Sequence, residues 1–435
     1  MSSLADRVRG VVVGTGGTNQ RPLITDHPQP PIPNPQSPRE SPDLSPLAGC
    51  WSGGCFVVER EWKPSASHGR ERIGELAARL EASIADAPLF SGGAAARPPL
   101  MFFDLETTGL NGGAGTHVFL IGCGWFDDDR FLTRQFVMTR FSDERPMLQA
   151  VARDFDRAGA LVSFNGKSFD APVLETRYLF HRLAWPAGRL PHLDALHPAR
   201  HFWSEPGGCS LTTLESQVLG ARRTGDVSGM EIPARYFQFL RTGDARPLGA
   251  VLEHNCLDLL SLAGLTARLL ELLAGGPAST RSAREALALG RMYRRSGMNS
   301  RAHEAFVRVL ELTSAGWSDV RTAALHELAL SDRHARRYED AAVRWQALVE
   351  SAHCPALVRR AAAEALAIHH EHRVRNLPAA RAFALKSLET PGGPAWRDGV
   401  RRRLTRIDRK LERDVSRRIG SDSPVQLLLD AVSGD

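Results

Sequence analysis

The sequence predicts an α/β domain built on a mixed sheet, followed by an all-α domain of helical repeats. Two observations predict this organisation. Apolar, strand-like runs come first and then alternate with amphipathic helices over about residues 98–275. After Pro277, alanine, leucine, arginine and glutamate dominate, and helical segments recur at a constant interval. A chain of 435 residues exceeds one ordinary domain, which agrees with two folded units plus tails.

Composition sets outer limits on location and partners. No apolar run is long enough to span a membrane, and the VVV near the start is too short for a signal-peptide core. The six cysteines are scattered without a C-x-x-C pair, which indicates a reducing cytoplasm and disfavours a disulfide framework or a zinc ribbon. A net charge of +6 is compatible with a nucleic-acid partner, although many basic proteins bind none.

The chain before the α/β domain divides into two segments. Residues 1–48 have the composition of a disordered tail, because nine prolines stand between Arg21 and Leu47 with few apolar residues to bury. A proline-rich docking segment is the alternative reading of this tail. Residues 49–97 are predicted to be an N-terminal extension, in which GGCFVVEREW indicates a strand and IGELAARLEASIA an amphipathic helix.

Each element of the α/β domain, predicted at residues 98–275, has its own signal. Strands are predicted from the apolar or alternating runs LMFFDLE, HVFLIGCGWF, FLTRQFVM, ALVSFN and LPHLDAL. The glycine-rich NGGAG indicates a turn after the first of them. Helices are predicted from PMLQAVARDF, from residues 170–181, from SLTTLESQVLG with its serine cap, and from residues 248–273, which AGGP terminates.

Residues 280–395 contain an internal repeat. The runs RAHEAFVRVLE, DAAVRWQALVE and AARAFALKSLE align, with Ala302, Ala341 and Ala380 in register at two intervals of 39 residues. A further helical stretch precedes each run, and helix pairs with small residues at a fixed period are typical of a solenoid. The unit is similar to a tetratricopeptide repeat, whose concave surface would suit a protein partner. An irregular helical bundle is the alternative.

The last segment, residues 396–435, is predicted to hold a basic helix and a tail. Its run RRRLTRIDRKLERDVSRR contains nine lysines and arginines against three acids. Such a helix would either touch nucleic acid or cap the repeats with a solvated basic face.

Asp104 and Glu106 form the first candidate site motif, in DLETTGL. On a strand, residues i and i+2 face the same side, so both acids can reach one cation. Two acids this close repel each other unless a cation neutralises them. The turn at Thr107, Thr108, Gly109 and Leu110 would let the backbone approach a phosphate or sugar of a substrate. A strand end whose acids merely face solvent is the alternative.

Asp170 forms the second motif, at the end of SFNGKSFD. It stands at the start of a predicted helix, where an acid is also a good partner for the helix dipole. Asn165 and Lys167 lie beside it in the NGKS turn. Lys167 would contact a substrate phosphate, or it would be an ordinary exposed lysine of a turn.

His254 and Asp258 form the third motif, four residues apart and therefore on one face of the predicted helix. The imidazole titrates near neutral pH and would suit a general base, while Asn255 would orient substrate or a neighbouring loop. A surface His–Asp pair is the alternative. Asp194 and Asp226 are further acids nearby, which we interpret as structural or substrate-loop residues.

Together, the three motifs resemble those of the DEDD superfamily of 3′–5′ exonucleases, which have the ribonuclease H-like fold. More narrowly, the chain is similar to bacterial ribonuclease H-like proteins of the predicted-exonuclease type, which often carry tetratricopeptide repeats. HLDALHPARHFW, CSLTTLESQVLG, GDVSGMEIPARYFQFL and GGCFVVERE also carry this resemblance, which covers about residues 53–273 and the repeats.

The resemblance implies that Asp104, Glu106, Asp170 and Asp258 are ligands of two Mg²⁺ or Mn²⁺ ions that bind the scissile phosphate of DNA or RNA. Hard cations of this kind prefer oxygen ligands. One departure concerns His254. The superfamily places a histidine five residues before the last aspartate or a tyrosine four before it, and here a histidine stands four before.

The sequence therefore favours a metal-dependent nuclease, a 3′–5′ exonuclease that acts on a nucleic-acid substrate. The alternative is a non-catalytic module that binds nucleic acid and uses its repeats for protein partners. A third possibility is a protein that serves mainly as a repeat scaffold.

Overall fold

The structure is a computed structural model of the chain, and it describes residues 42–91, 95–109, 115–204, 208–313, 318–352 and 354–421. The predicted fold class is confirmed in these residues. A mixed seven-stranded sheet with flanking helices comes first, and helices alone follow. The predicted tail up to residue 41, most of the NGGAG turn and the chain after residue 421 lie outside the described residues.

The main sheet has the strand order β1-β2-β7-β6-β5-β8-β9, and β3 pairs with β4 in a separate hairpin. The strands that the structure describes are β1 (Cys50–Ser52), β2 (Cys55–Trp62), β3 (Ser67–His68), β4 (Glu71–Arg72), β5 (Leu100–Thr107), β6 (Val118–Asp127), β7 (Arg130–Val137), β8 (Ala160–Ser163) and β9 (His192–Asp194).

Strand β5 lies deep in the sheet, between the antiparallel β6 and the parallel β8. The first four residues of β5 and all of β8 are buried, as their apolar runs predict. Strand β9 is parallel to β8. The carboxyl ends of β5, β8 and β9 therefore lie at one edge of the sheet, and the residues that follow them converge there.

The predicted N-terminal extension, residues 49–97, contributes a strand to the main sheet. Strand β2 pairs with β7 from Phe56 to Trp62, so the segment belongs to the main sheet. Residues 42–48, predicted in the tail, also lie against this domain. A short 3-10 helix, Ser45–Leu47, helps to bury Leu44 and Leu47 in the core. Burial of these two apolar side chains prevails over the local proline-rich composition.

The helices of the α/β domain surround this sheet. They are α1 (Ile73–Ser83), α2 (Pro88–Ser91), α3 (Glu144–Phe155), α4 (Asp170–Phe180), α5 (Leu196–Trp203), α6 (Leu211–Leu214), α7 (Ile232–Thr242) and α8 (Arg246–Gly275). In α8 every residue from 259 to 270 is buried. A helix that is apolar on all sides belongs in a core, so α8 forms the centre of the domain.

Three helical features were not predicted. Helices α5 and α7 have no counterpart among the predicted elements. The predicted strand LPHLDAL forms only as the three-residue strand β9. The predicted helix SLTTLESQVLG starts as α6 and continues as a π-helix at Glu215–Leu219. Short π-helical segments are frequent at functional sites. Gly220, with φ of 69°, ends this segment in the left-handed conformation.

The C-terminal region consists of helices in the part that the structure describes. They are α9 (Ala283–Arg295), α10 (Asn299–Leu312), α11 (Asp319–His334), α12 (Tyr338–Glu350), α13 (Ala356–His369), α14 (Leu377–Leu388) and α15 (Pro394–Ser421). Ala302, Ala341 and Ala380, which align in the sequence, are all buried. Small side chains at these positions allow neighbouring helices to approach closely, as the repeat predicts.

The first repeat helix packs directly on the α/β domain. Glu285 of α9 accepts a hydrogen bond from the Trp203 indole at 2.9 Å and one from the Arg268 guanidinium at 3.0 Å. Apolar residues of α8, α9 and α10 belong to one hydrophobic cluster. The two regions therefore share a core across the predicted boundary at residues 275–280.

Helix α15 caps the repeats. Arg406 and Lys410 donate to Glu371 at 2.7–2.9 Å, and Val400 and Ile407 are buried. These contacts use part of the basic face for packing, which favours the capping interpretation of this helix. In the described part of the chain, every helix is either too short or too polar for a membrane span.

The small-residue rule in the repeats can be tested at Ala341, which is fully buried. Replacing Ala341 with leucine is expected to lower the free energy of unfolding by about 1–3 kcal/mol, because the added methyl groups have no space. Chemical denaturation measures this change. Val343→Leu is the matched control on the same helix, since Val343 is 72% exposed, and it should have little effect. Equal stability of the two variants would contradict the packing described here.

Candidate active site

Four carboxylates from three elements come together at the carboxyl edge of the sheet. Asp104 and Glu106 lie on the same face of β5, Asp170 is the first residue of α4, and Asp258 lies in α8. Burial raises the pKa of Asp104 well above its usual value, and repulsion by Asp258, Glu106 and Asp170 raises it further. Asp104 therefore lies close to the other three carboxylates of the set.

Burial and repulsion by neighbouring acids also raise the pKa values of two of the other three carboxylates. Burial raises the pKa of Glu106 to about 8, with added repulsion from Asp258 and Asp170. Burial, together with repulsion from Asp194, raises the pKa of Asp170 to about 7. Ionised acids that are buried together are costly, and a divalent cation among them would remove that cost. The chemistry of this donor set therefore fits Mg²⁺ or Mn²⁺.

Asn255 holds Asp104 in place. Its amide donates to Asp104 Oδ2 at 2.9 Å, and its own oxygen accepts from Gln135 Nε2 at 2.8 Å. Asn255 is fully buried, and this contact orients Asp104. Its predicted role in substrate binding stays a prediction.

Gly122 makes room for this contact. It lies opposite Asp104 in the pairing of β5 with β6. A Cβ at Gly122 would stand 2.1 Å from Asn255 Oδ1, which no side chain tolerates. Position 122 therefore requires glycine, because α8 approaches the sheet too closely for a larger side chain.

The turn after β5 is closed by its two threonines. Thr107 Oγ1 donates to the carbonyl of Gly109 at 2.9 Å. The Thr108 backbone N–H donates to the His117 carbonyl at 2.9 Å, and Thr108 Oγ1 accepts from the His117 N–H at 3.0 Å. These bonds shape the segment that was predicted to approach a substrate. Leu110, predicted with this segment, lies outside the described residues.

Asp194 shapes the second turn, before Asp170. Its carboxylate accepts from the backbone N–H groups of Asn165 at 2.8 Å and Lys167 at 3.0 Å. Between them, Gly166 has no room for a Cβ, which would lie 2.4 Å from Ser163 Oγ. We interpreted Asp194 as a structural or substrate-loop residue, and these contacts are structural ones. They fix the turn that delivers Asp170 to the site.

His254 is oriented by Asp226. Its Nδ1 lies 2.7 Å from Asp226 Oδ1, and its Nε2 lies 3.6 Å from Asp258 Oδ2. Burial opposes ionisation of Asp226, but the hydrogen bond and charge of His254, together with Arg223, lower its pKa. An ionised Asp226 accepts the Nδ1 proton and leaves the lone pair of His254 on Nε2. That nitrogen faces the carboxylate site.

Arg223 is a residue beside the carboxylates that the sequence reasoning missed. It comes from the same loop as Asp226 and donates through Nη2 to Asp258 Oδ1. The same Nη2 donates to Glu215 Oε2 at 2.7 Å, and Nε donates to that oxygen at 2.9 Å. Its Nη1 lies 3.2 Å from Asp226 Oδ2. The guanidinium therefore joins three carboxylates at the edge of the site.

A hydroxyl group of α8 holds Glu215 in place. Ser261 Oγ donates to Glu215, and His68 Nε2 lies 2.8 Å from the same hydroxyl. The side chain of Glu215 is only 2% exposed. A signal for this network exists in the sequence, since Glu215 stands four residues after Leu211 and four before Leu219, on an apolar face. An acid on such a face requires a buried partner.

The carboxylates lie near one another without forming a finished metal cage. Among the residues that the structure describes, no three histidine, cysteine, aspartate or glutamate side chains are already grouped closely enough to hold a metal ion. One oxygen of Asp258 accepts a hydrogen bond from Arg223. The metal roles of the four acids stay predictions.

Comparison with known proteins identifies the superfamily of the α/β domain. Residues 101–270 match the model of the RNase_H superfamily. An uncharacterized protein of Bacillus subtilis (strain 168), YprB, is 31% identical to the chain over 340 residues, which covers 77% of this chain and 80% of YprB. The matched superfamily region contains all four carboxylates, the loop with Arg223 and Asp226, and His254.

The role of Gly122 generates a test of how Asp104 is held. Gly122→Ala is expected to displace the Asn255 amide and to destabilise the fold by about 1–3 kcal/mol, because the new methyl group has no space. Denaturant unfolding measures the loss. Gly249→Ala is the control, since no atom lies within 4 Å of its Cβ position. The contact is not as described if both variants are equally stable.

Proposed function

We propose that this chain, which belongs to the family of YprB and carries a domain of the ribonuclease H superfamily, is a metal-dependent nuclease that removes nucleotides from 3′ ends. One observation carries the proposal. Carboxylates that are buried or half-buried come from separate elements, meet at one edge of the sheet and raise one another's pKa. Such a set suits divalent cations, and divalent cations suit phosphodiester hydrolysis.

In this proposal Asp104, Glu106, Asp170 and Asp258 supply the oxygen ligands for two Mg²⁺ or Mn²⁺ ions. Such ions activate a water molecule and stabilise the leaving oxygen of a phosphodiester. The role of the protein is to hold the ligands in place. Asn255 fixes Asp104, and the turn shaped by Asp194 presents Asp170.

His254 serves as the general base in this proposal. Its Nε2 accepts the proton of the attacking water, while Asp226 holds Nδ1 and stabilises the charged imidazole that results. The four-residue spacing to Asp258 departs from the superfamily pattern. The contact with Asp226 supports a working orientation at this spacing, because it fixes both the ring and its tautomer.

The substrate in this proposal is DNA or RNA. The segment from Thr107 to Gly109 and the turn with Asn165 and Lys167 flank the carboxylates and, together with Leu110, would contact its sugar and phosphates. Binding to phosphates weakens as salt rises, because counterions are released. The repeats would serve a protein partner, and Val343, Leu357 and Leu385 offer exposed apolar side chains there.

The nuclease proposal predicts Mn²⁺-dependent shortening of 5′-labelled DNA or RNA strands from their 3′ ends. Asp104→Asn should reduce the rate at least about 100-fold, because it removes an oxygen ligand from the centre of the site. Asp129→Asn, at an exposed acid, is the matched control and should keep the full rate. Binding of the strand without any metal-dependent cleavage would favour the non-catalytic module instead.

A separate prediction concerns Asp226. Asp226→Asn is expected to lower kcat about 10- to 100-fold, because His254 would no longer be held in the orientation that accepts the proton. KM should change little, because Asp226 does not bind the substrate in this proposal. In a His254→Ala background the same change should add nothing further, since both residues act as one unit. Glu231→Gln, at an exposed acid near the same loop, is the control. Additive losses would count against the pairing of Asp226 with His254.

A further inference from the structure

A cavity of about 380 Å³ lies where the repeat region meets the α/β domain. The described residues that line this junction cavity belong to the β3–β4 hairpin, the end of α5, the π-helix and the start of α9. Arginines reach it from both regions, Arg70 from the hairpin and Arg281 and Arg284 from the start of α9. Ligand pockets commonly have volumes of roughly 300–1,000 Å³. The junction cavity therefore has the room and the positive charge to take an anionic group.

The acid among the described lining residues, Glu285, is buried and already satisfied. Its carboxylate accepts hydrogen bonds from the Trp203 indole at 2.9 Å, from the Arg268 guanidinium at 3.0 Å and from the Arg281 backbone N–H at 2.6 Å. The charge of Glu285 is balanced by Arg268, which lies in the core. It therefore leaves the charges of the three arginines of the cavity largely uncompensated.

The side chains of these arginines have neutral partners in the part of the chain that the structure describes. Arg70 Nη2 donates to two carbonyls of the π-helix at 3.3 and 3.4 Å, and Arg284 Nη1 donates to the Ser204 carbonyl at 3.0 Å. Among the described residues, neither of them nor Arg281 forms an ion pair. A guanidinium has five N–H donors, so each of the three retains donors for a further acceptor.

The backbone holds Arg70 beside the π-helix. Its N–H donates to the Leu219 carbonyl at 2.8 Å. The preceding Gly69 has φ of 61°, and a Cβ there would lie 2.4 Å from the same carbonyl oxygen. Glycine alone permits both this backbone conformation and this approach. Gly69 therefore brings the hairpin close enough for Arg70 to line the cavity.

Further positive charge extends from the junction cavity along α9. Arg284 and Arg295 are exposed and stand eleven residues apart, which places them on the same face of the helix. Arg295 Nη1 lies 3.3 Å from His201 Nε2 of α5. The helix rises about 16 Å between these two arginines, a length that covers several phosphates of a nucleic-acid strand.

The π-helix connects the junction cavity with the candidate active site. Val218 lines the cavity, and Glu215 in the same segment accepts from Arg223, which also donates to Asp258. Glu215 and Val218 are three residues apart, within a single helical turn. A phosphate in the cavity and a phosphodiester at the carboxylates would therefore lie on either side of one short segment, as two phosphates of one strand can.

We propose that the junction cavity binds a backbone phosphate of a nucleic-acid strand through Arg70, Arg281 and Arg284. The first repeat helix is then part of the nucleic-acid interface and continues the binding surface of the α/β domain. The planar donor fork of arginine suits the oxygens of a phosphate. The inference rests on the proposed function for the identity of the ligand, since that function makes nucleic acid the substrate.

Strand binding without cleavage tests the inference. The full chain is titrated against a fluorescein-labelled oligothymidine strand in EDTA, and fluorescence anisotropy gives Kd over a series of salt concentrations. EDTA removes divalent cations, so the strand stays intact and the cations of the protein dominate binding. The triple variant Arg70→Gln, Arg281→Gln, Arg284→Gln should raise Kd about ten-fold or more and reduce the salt dependence of log Kd by about one or more.

Two matched variants separate this site from a general effect of charge. Arg145→Gln, Arg157→Gln, Arg182→Gln removes the same charge from exposed positions on or just after α3 and α4, which pack in a different hydrophobic cluster from α5 and α9. It should change Kd less than about two-fold, because solvent and salt screen distant charges. Lysine at all three junction positions keeps the charge and should retain most of the affinity. Thermal unfolding checks that each variant is folded.

The outcomes separate this inference from the proposed function. The junction site is overturned if its glutamine variant binds as the native chain does, if the control variant loses as much affinity, or if the native chain does not bind the strand in EDTA. Mn²⁺-dependent shortening by the native chain would uphold the proposed function in each of those cases. A folded native chain that neither binds nor shortens a strand would overturn both. A loss of affinity confined to the junction variant supports the inference.

Discussion

The structure depends on one constraint, the burial of several like charges at a single edge of the sheet. Asp104 lies close to three other carboxylates, and burial and repulsion both disfavour its ionised form. A fold retains such a group only where directed hydrogen bonds or cations compensate it. This chain uses both means, with the Asn255 amide on Asp104 and the Arg223 guanidinium on Asp258. What is left uncompensated is the part of the site that suits a divalent cation.

Helix α8 is the element in which these compensations meet. Asn255 faces β5, His254 faces the loop with Asp226, and Ser261 supports Glu215. One helix can hold side chains that point in three directions because it is firmly packed. Its residues from 259 to 270 are buried on every side. Side chains on a rigid, packed element hold their geometry better than side chains on loops. The precision of the site therefore derives from the core beneath it.

The sequence predicted those parts of the molecule that depend on local patterns. LMFFDLE is apolar and ends in two acids that are two residues apart. Because side chains alternate along a strand, this pattern alone predicted β5 and the shared face of Asp104 and Glu106. The contact of Asn255 with Asp104 did not follow, because the partners are 151 residues apart in sequence. The ion pair of Arg223 with Glu215 was missed for a related reason, since it forms across an unpredicted π-helix. Helix α5 was also missed, because Pro198 and its histidines obscure its apolar stripe.

The packing at the end of α8 continues the hydrophobic core across the domain boundary that the sequence predicts. Composition divides the chain near residue 277, but Arg268 of α8 binds Glu285 of α9, and both helices contribute to one hydrophobic cluster. Arg268 lies ten residues after Asp258, about 15 Å along the same helix. Separating the repeats from the sheet would expose this shared core and break the buried ion pair of Arg268 with Glu285, which is unfavourable. A partner bound to the repeats is therefore bound to the same packed unit that carries Asp258.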